Sequence, residues 1–481
     1  MSEPHPTKAP HELNRRDVWI TMSGVGLALF MAALDQTIVA TALPRVAREL
    51  GGMESYSGVV TAYMVASTAI MPIIGKLSDV YGRKSFLLGG MLWFTFASVL
   101  CGLSATIGQL IAFRALQGLG AGIMTCAAST TIADLFSPSE RGKVIGILVP
   151  ISAVSSVLGP LAGGFLTDGP GWRYIFYVNL PIGLLGVAVL YRFAPHIRPA
   201  TVKDFKIDYA GVLALVASVV PILLALNSIN KDHPWSSPSV LGLAGAGLLM
   251  GLVFWAIEKK AAHPILPLEL FRYSIVSICL ISAALVTAAM LGVAFFVPLF
   301  VQGVMGTDAR TSGILLLPFT FTFMAMIAVT GQLITRLGRY RIFALVGPAL
   351  GMVGALLLAL MGPGVGRGIL EMNLIITAIG LAIAVPIYNL ATQNAVPMNL
   401  LGSATSMVNF MRSIGASLGV AVFGSILNAR SAAVGLAPAL STVFAVIPVI
   451  LGITAVMAFF LKEKPLRKTI VRDGAVPEEL E

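Results

Sequence analysis

Charge is what this sequence has least of. Only 11% of its 481 residues are Asp, Glu, Lys or Arg, whereas a soluble domain carries about 25%. A water-solvated globular enzyme is therefore excluded. Cysteine is scarce as well. Cys101, Cys126 and Cys279 all fall in apolar runs, which implies no disulfide framework. The five histidines lie in the N-terminal tail or in loops, without metal-ligand spacing. No metal site is expected. A P-loop is missing, which removes ATP as the energy source. The stretch Gly118–Gly122 misses the GxGxxG spacing and follows no strand, so it is not a dinucleotide site. The glycines from Gly362 to Gly368 read as a loop. The first 17 residues are polar, without the apolar segment of a signal peptide. They are expected to stay in the cytoplasm.

What the chain has in excess is apolar length. Hydrophobic residues make up 57% of it. A bilayer-spanning helix needs about 20 mostly apolar residues. Fourteen such runs are present, near 18–43, 56–77, 85–105, 108–133, 143–167, 174–194, 208–229, 238–257, 274–303, 311–334, 341–361, 369–393, 400–427 and 438–461. An even number puts both termini on one side. Of the 32 Lys and Arg, 23 then fall in segments on the N-terminal side and 7 on the other. Arg114 and Arg412 lie inside spans. The positive-inside rule makes the N-terminal side cytoplasmic. The net charge of +10 is accounted for by topology, and no nucleic acid is expected.

Two loops on the basic side resemble each other. GKLSDVYGRK begins at Gly75 and GQLITRLGRY at Gly331. Gly75, Leu77, Gly82 and Arg83 recur as Gly331, Leu333, Gly338 and Arg339. This duplication predicts an all-α membrane fold of two six-helix halves with a two-helix insert. Repeats of this kind mark secondary transporters, which rock one half against the other. The layout is a cytoplasmic tail (1–17), an N-terminal half (18–194), a linker with two inserted helices (195–272), a C-terminal half (273–461) and a second cytoplasmic tail (462–481). Gly75 and Gly82 permit close approach and a tight turn. Asp79 and Arg83, four residues apart, can pair with each other or cap a neighbouring helix. The loop then latches that face shut. The plainer reading is a short basic loop that fixes topology. Thr335 replaces the acid in the second copy, so a latch there differs.

One acid stands deep in the membrane. Asp35 interrupts LALFMAALDQTIVATALP, Leu27 to Pro44. A charge at such depth is expensive and is the starting point for a functional reading. It lies nine residues before Pro44, which puts it ~13 Å deep. Arg114 lies about six residues into span four, ~9 Å from the same side. Burial favours a neutral carboxyl and a guanidinium favours the ionised one, so an acid held between the two can load and release a proton. The alternative is a permanent ion pair that ties the helices. Gln36 and Gln117 are polar neighbours. Gly159, Pro160, Gly163 and Gly164 let span five pack closely and bend; that stretch either seals the cavity or is ordinary small-residue packing.

Tyr63, Gln117, Asn179, Gln302, Tyr388, Gln393, Asn409 and Arg412 are polar or aromatic at membrane depth. They are candidates for a cavity wall or for helix–helix hydrogen bonds. Arg412 is a full charge with no deep acid in the second half. A helix C-terminus, backbone carbonyls or an anionic ligand group can satisfy it.

Six stretches carry a family resemblance: LDQTIVATALP, GKLSDVYGRK, LIAFRALQGLGAG from Leu110, SSVLGPLAGGFL from Ser155, WRYIFYVNLPIG from Trp172 and ATSMVNFMRSIGASLG from Ala404. In this order, and on these spans, the chain resembles the major facilitator superfamily, within it the fourteen-helix drug:proton antiporters. Ala40 and Ser155 depart from that branch, which usually has Asn and Gly there. The resemblance implies multidrug efflux of hydrophobic, cationic compounds across a bacterial-type inner or plasma membrane. The proton gradient replaces a cofactor. It implies no catalysis, and a monomer in the lipid bilayer. A periplasmic adaptor is left open. The runner-up is an exporter of an endogenous lipid, peptide or anionic metabolite, followed by a non-transporting receptor.

Overall fold

The computed structural model describes residues 15–50, 56–136, 138–195, 208–228, 235–261, 264, 266, 268–307, 309–362, 364–397 and 400–466. Backbone N–H and C=O groups in lipid have to pair within their own segment, which leaves helices as the solution for a chain like this. The described residues form fifteen α-helices and no strand. The N-terminal half holds α1 (Arg15–Glu49), α2 (Tyr56–Tyr81), α3 (Arg83–Gly102), α4 (Ile107–Leu135), α5 (Pro138–Asp168), the short α6 (Tyr174–Tyr177) and α7 (Asn179–Phe193). The insert is α8 (Tyr209–Ser228) and α9 (Pro238–Glu258). A 3-10 turn at Leu268–Arg272 leads to α10 (Ser274–Gly303), α11 (Ala309–Leu337), α12 (Arg341–Ala359), α13 (Arg367–Ala395), α14 (Leu401–Val434) and α15 (Leu436–Phe459). Thirteen segments, with α6 and α7 counted together, are long and apolar enough to cross a membrane. The long α5 packs among them, against α1 and α11.

The described helices arrange as two halves and an inserted pair. In the first half α2 and α3 pack on α4, and α1 packs on α5 and α7. In the second, α10 packs on α14, and α12 on α13 and α15. The halves meet along α5–α11 and α2–α14. The inserted α8 and α9 pack chiefly on each other, and α8 touches α2 and α14. Leu248, Leu249 and Leu252 of α9 are each more than 60% exposed, which assigns that face to lipid. The duplication is visible in the backbone. Gly82 (φ 94°) ends the α2–α3 turn and Gly338 (φ 66°) the α11–α12 turn, both in the left-handed region that favours glycine.

Two fastenings hold the helix ends. On the basic face, the buried Tyr340 hydroxyl donates to the Lys462 carbonyl (3.1 Å) and accepts from the Lys464 N–H (3.0 Å). Burial pushes that phenol up to about 12. On the opposite face, Trp172 Nε1 donates to Glu49 (2.9 Å), and Arg173 donates to the Ser104 carbonyl (3.2 Å) while lying 4.4 Å from the Trp172 ring. The Trp-Arg pair of the WRYIFYVNLPIG stretch thus clamps the ends of α1 and α3 and positions the start of α7.

Candidate proton and substrate site

Helices α1, α3, α4 and α7 converge on Asp35, which is fully buried. Arg114 donates to Oδ2 at 2.5 Å. Oδ1 accepts from Gln117 Nε2 at 2.8 Å and from Asn179 Nδ2 at 3.1 Å. The same two amides also donate to Ser98 Oγ, at 2.8 and 2.9 Å. Arg114 further donates to Gln117 Oε1 at 2.7 Å. The Tyr63 ring lies 4.2 Å from the guanidinium carbon. All three partners of the carboxyl are N–H donors, the set a carboxylate requires. Removing one member of such a buried pair costs ~3–5 kcal/mol, because the other charge is stranded. Arg114 Nε has no hydrogen-bond partner among the described residues.

The ring lies behind the wall of a cavity between the halves. That cavity encloses about 610 Å³ and is lined from α1, α2 and α4 on one side and α10 and α14 on the other. Tyr63 and Arg114 form part of its wall, and Asp35 stands behind them. The opposite wall carries Asn409, Arg412 and Ser413 of α14 together with Thr287, Leu291 and Phe295 of α10.

Toward the basic face the halves are closed. A Cβ added to Gly75 would collide with Ser406 Oγ and stand 3.0 Å from the Gly402 carbonyl, so α2 and α14 touch through a position only glycine fits. Arg141 donates to Gln393 (3.0 Å) and Asn409 to Ser129 (3.4 Å), each bond joining one half to the other. Arg141 also donates to the carbonyls of Ala133 (2.6 Å) and Phe136 (3.0 Å) at the end of α4. Arg83 forms a buried salt bridge with Asp134 (2.9 Å) and donates to Ser78 (2.8 Å). The side chains of Asp79 and Pro160 lie outside the described residues. The backbone of Gly159 rests against Thr37 of α1, where a Cβ would collide with the threonine hydroxyl. Gly163 is buried, and Gly164 has open space beside it.

Most residues that the sequence marks gather around these two features. Asp35, Arg114, Gln117 and Asn179 form the ring, and Tyr63, Asn409 and Arg412 line the cavity. Two do not belong. Gln302 is exposed at the end of α10, and Tyr388 is buried in the core of the C-terminal half. Neither lines the cavity: Gln302 stands two turns beyond Phe295, the last α10 residue of the lining, and α13 contributes no residue to it. Gln393, another wall candidate, serves the cross-half contact instead. The sequence does not mark Ser98, Ser406 or Arg141. Small hydroxyls are common in apolar spans, so the two serines carry no signal, and Arg141 reads as a topogenic charge in a basic loop.

An all-helical chain with duplicated halves, a buried ion pair and a central cavity is built as a secondary transporter. The sequence profile of the Major Facilitator Superfamily matches residues 25–420, and the chain belongs to that family. It is 35% identical over 412 residues to the multidrug transporter protein MdtP of Bacillus subtilis (strain 168), covering 86% of this chain and 76% of the relative. It is 36% identical over 403 residues to Multidrug resistance protein 3 of the same organism, covering 84% and 78%. The fold matches the crystal structure of the human organic anion transporter MFSD10 (TETRAN) with a TM-score of 0.67 at 14% identity, over 92% of this chain and 99% of that one.

Proposed function

We propose that this chain is a proton-coupled exporter of hydrophobic, drug-like compounds, moving drug outward and protons inward by alternating access. The observation that carries the reading is Asp35. It is fully buried, ion-paired and backed onto the cavity between the halves. A purely structural apolar core needs no such charge. The named relatives are multidrug transporters, which supports the drug class.

A proton arriving at Asp35 removes the counter-ion of Arg114 and leaves one of the ring's three donors opposed to an O–H. The ring has to rearrange, and α4 with it against α1 and α3. The Arg83–Asp134 bridge stands at the other end of α4, beside the Gly75–Ser406 contact, so movement of α4 reaches the closed basic face. The excess of Lys and Arg supports placing that face in the cytoplasm of a bacterial-type inner or plasma membrane. The family resemblance implies cationic cargo. The balance of charge in the cavity favours cargo with an anionic group, because Arg412 faces it and no carboxylate among the described residues lines it.

Proteoliposomes test the reading. Acidifying the side opposite the basic face should accelerate efflux of a lipophilic dye several-fold. Efflux indifferent to a pH gradient of either sign contradicts proton coupling.

A further inference from the structure

The cavity holds one cation that the proton ring does not use. Arg412 stands on α14 with Asn409, Ser413 and Ala416, spaced three and four residues apart on one helical face, which aligns them along the cavity. Arg114, across the cavity, is taken by Asp35. Arg412 is half-buried and makes no hydrogen bond or ion pair among the described residues. The Asn409 amide and the Ser413 hydroxyl share that wall; one amide N–H goes to Ser129, which leaves the other N–H and the Ser413 hydroxyl to donate. The rest of the lining is largely apolar, including Met64, Leu291 and Phe295. Among the described residues, no Asp or Glu lines the cavity. An unpaired guanidinium in such surroundings is costly to keep, since full charges at membrane depth are normally paired. A cavity of about 610 Å³ falls in the range that encloses a drug-sized molecule.

We infer that Arg412 is the recognition site for an anionic head group, and that the cavity takes hydrophobic monoanions. These are a carboxylate or sulfonate on an apolar body, the acid seated on Arg412 with help from Asn409 and Ser413, and the body against Met64 and Phe295. A guanidinium presents paired donors that match a carboxylate edge. This deepens the exporter reading by naming its cargo, and it rests on that reading only for the direction of travel. The head group binds the C-terminal half and the proton the N-terminal half, so head group and proton occupy opposite walls.

Three probes of one shape test the assignment: 1-naphthaleneacetate, 1-naphthaleneacetamide and 1-naphthylmethylammonium. Their binding to the purified full-length protein is measured by equilibrium dialysis, with no gradient present. The native protein should bind the acid about tenfold more tightly than the amide or the amine, the scale of one charge-assisted pair. Arg412→Gln should erase that advantage and leave amide binding within about threefold, which also shows that the variant is folded. Arg412→Lys should keep part of it, as a point charge without the fork. Equal binding of the three probes by the native protein overturns the assignment. So does preference for the amine, failure to bind the acid at all, or an acid preference that survives Arg412→Gln. None of these readouts depends on proton movement, so failure of the antiport reading would leave them intact and recognisably separate.

Discussion

Asp35 of α1 and Arg114 of α4, 79 positions apart in the chain, share a buried hydrogen bond of 2.5 Å. Each is stranded without the other. Arg114→Gln should therefore lower thermal stability by an amount corresponding to ~3–5 kcal/mol. Arg114→Lys keeps the charge but cannot reach Asp35 and Gln117 with a planar fork, and should melt in between. Thermal unfolding in detergent checks both. Melting indistinguishable from the native protein in either variant would deny that the pair is a structural requirement.

Asn179 donates to both Asp35 and Ser98. Asn179→Leu removes the amide while keeping the bulk; Asp35 and Ser98 keep Gln117 as a donor, and the carboxylate loses one charge-assisted bond, ~1.5–3 kcal/mol. Export should fall together with stability. Asn179→Leu with native export rates would reduce Asn179 to packing.

Gly75 and Ser406 bring α2 and α14 into contact at the closed face. Gly75→Ala should slow export strongly, because its new Cβ collides with the serine side chain. Ser406→Gly in the same chain should restore much of the loss, since it removes both colliding serine atoms and leaves the Gly402 carbonyl at 3.0 Å. A rate measurement on single and double variants decides it. A double variant no faster than Gly75→Ala would refute the contact as the cause.

Arg83 and Asp134 form the second fastening of that face. Arg83→Gln and Asp134→Asn should each slow turnover, with drug affinity changed less than about twofold. The double variant should be no worse than the singles, because residues of one pair do not add. Additive losses would assign the two residues separate tasks.

Charge is the physical reason why part of the site is legible in the sequence. A carboxylate and two arginines inside apolar runs are costly there, so Asp35, Arg114 and Arg412 stand out in the amino-acid order alone. Their depths are less legible. The apolar run of the first span ends near Pro44, whereas α1 continues to Glu49, so Asp35 lies deeper from the helix end than the run implies. Asn179, expected on the cavity wall, belongs to the Asp35 hydrogen-bond ring, at the point where α6 ends at Tyr177 and α7 begins at Asn179 itself. Gln302 misleads because polarity does not show how far along α10 the cavity runs, and Tyr388 because α13 packs into the core without reaching the cavity. The tight turn at Gly82 is legible from its repetition at Gly338. The contact partner of Arg83 is not, because Asp134 is 51 positions away.

The most direct test of the central claim is proton release. Purified protein in weakly buffered detergent is mixed with an exported hydrophobic compound, and the pH of the solution is followed. The native protein should release protons on binding. Asp35→Asn should bind the compound and release none. The double variant Asp35→Asn with Arg114→Gln, which removes both charges together, should likewise bind and stay silent while unfolding at a higher temperature than Asp35→Asn alone. Undiminished proton release from Asp35→Asn would contradict the assignment of Asp35 as the proton site.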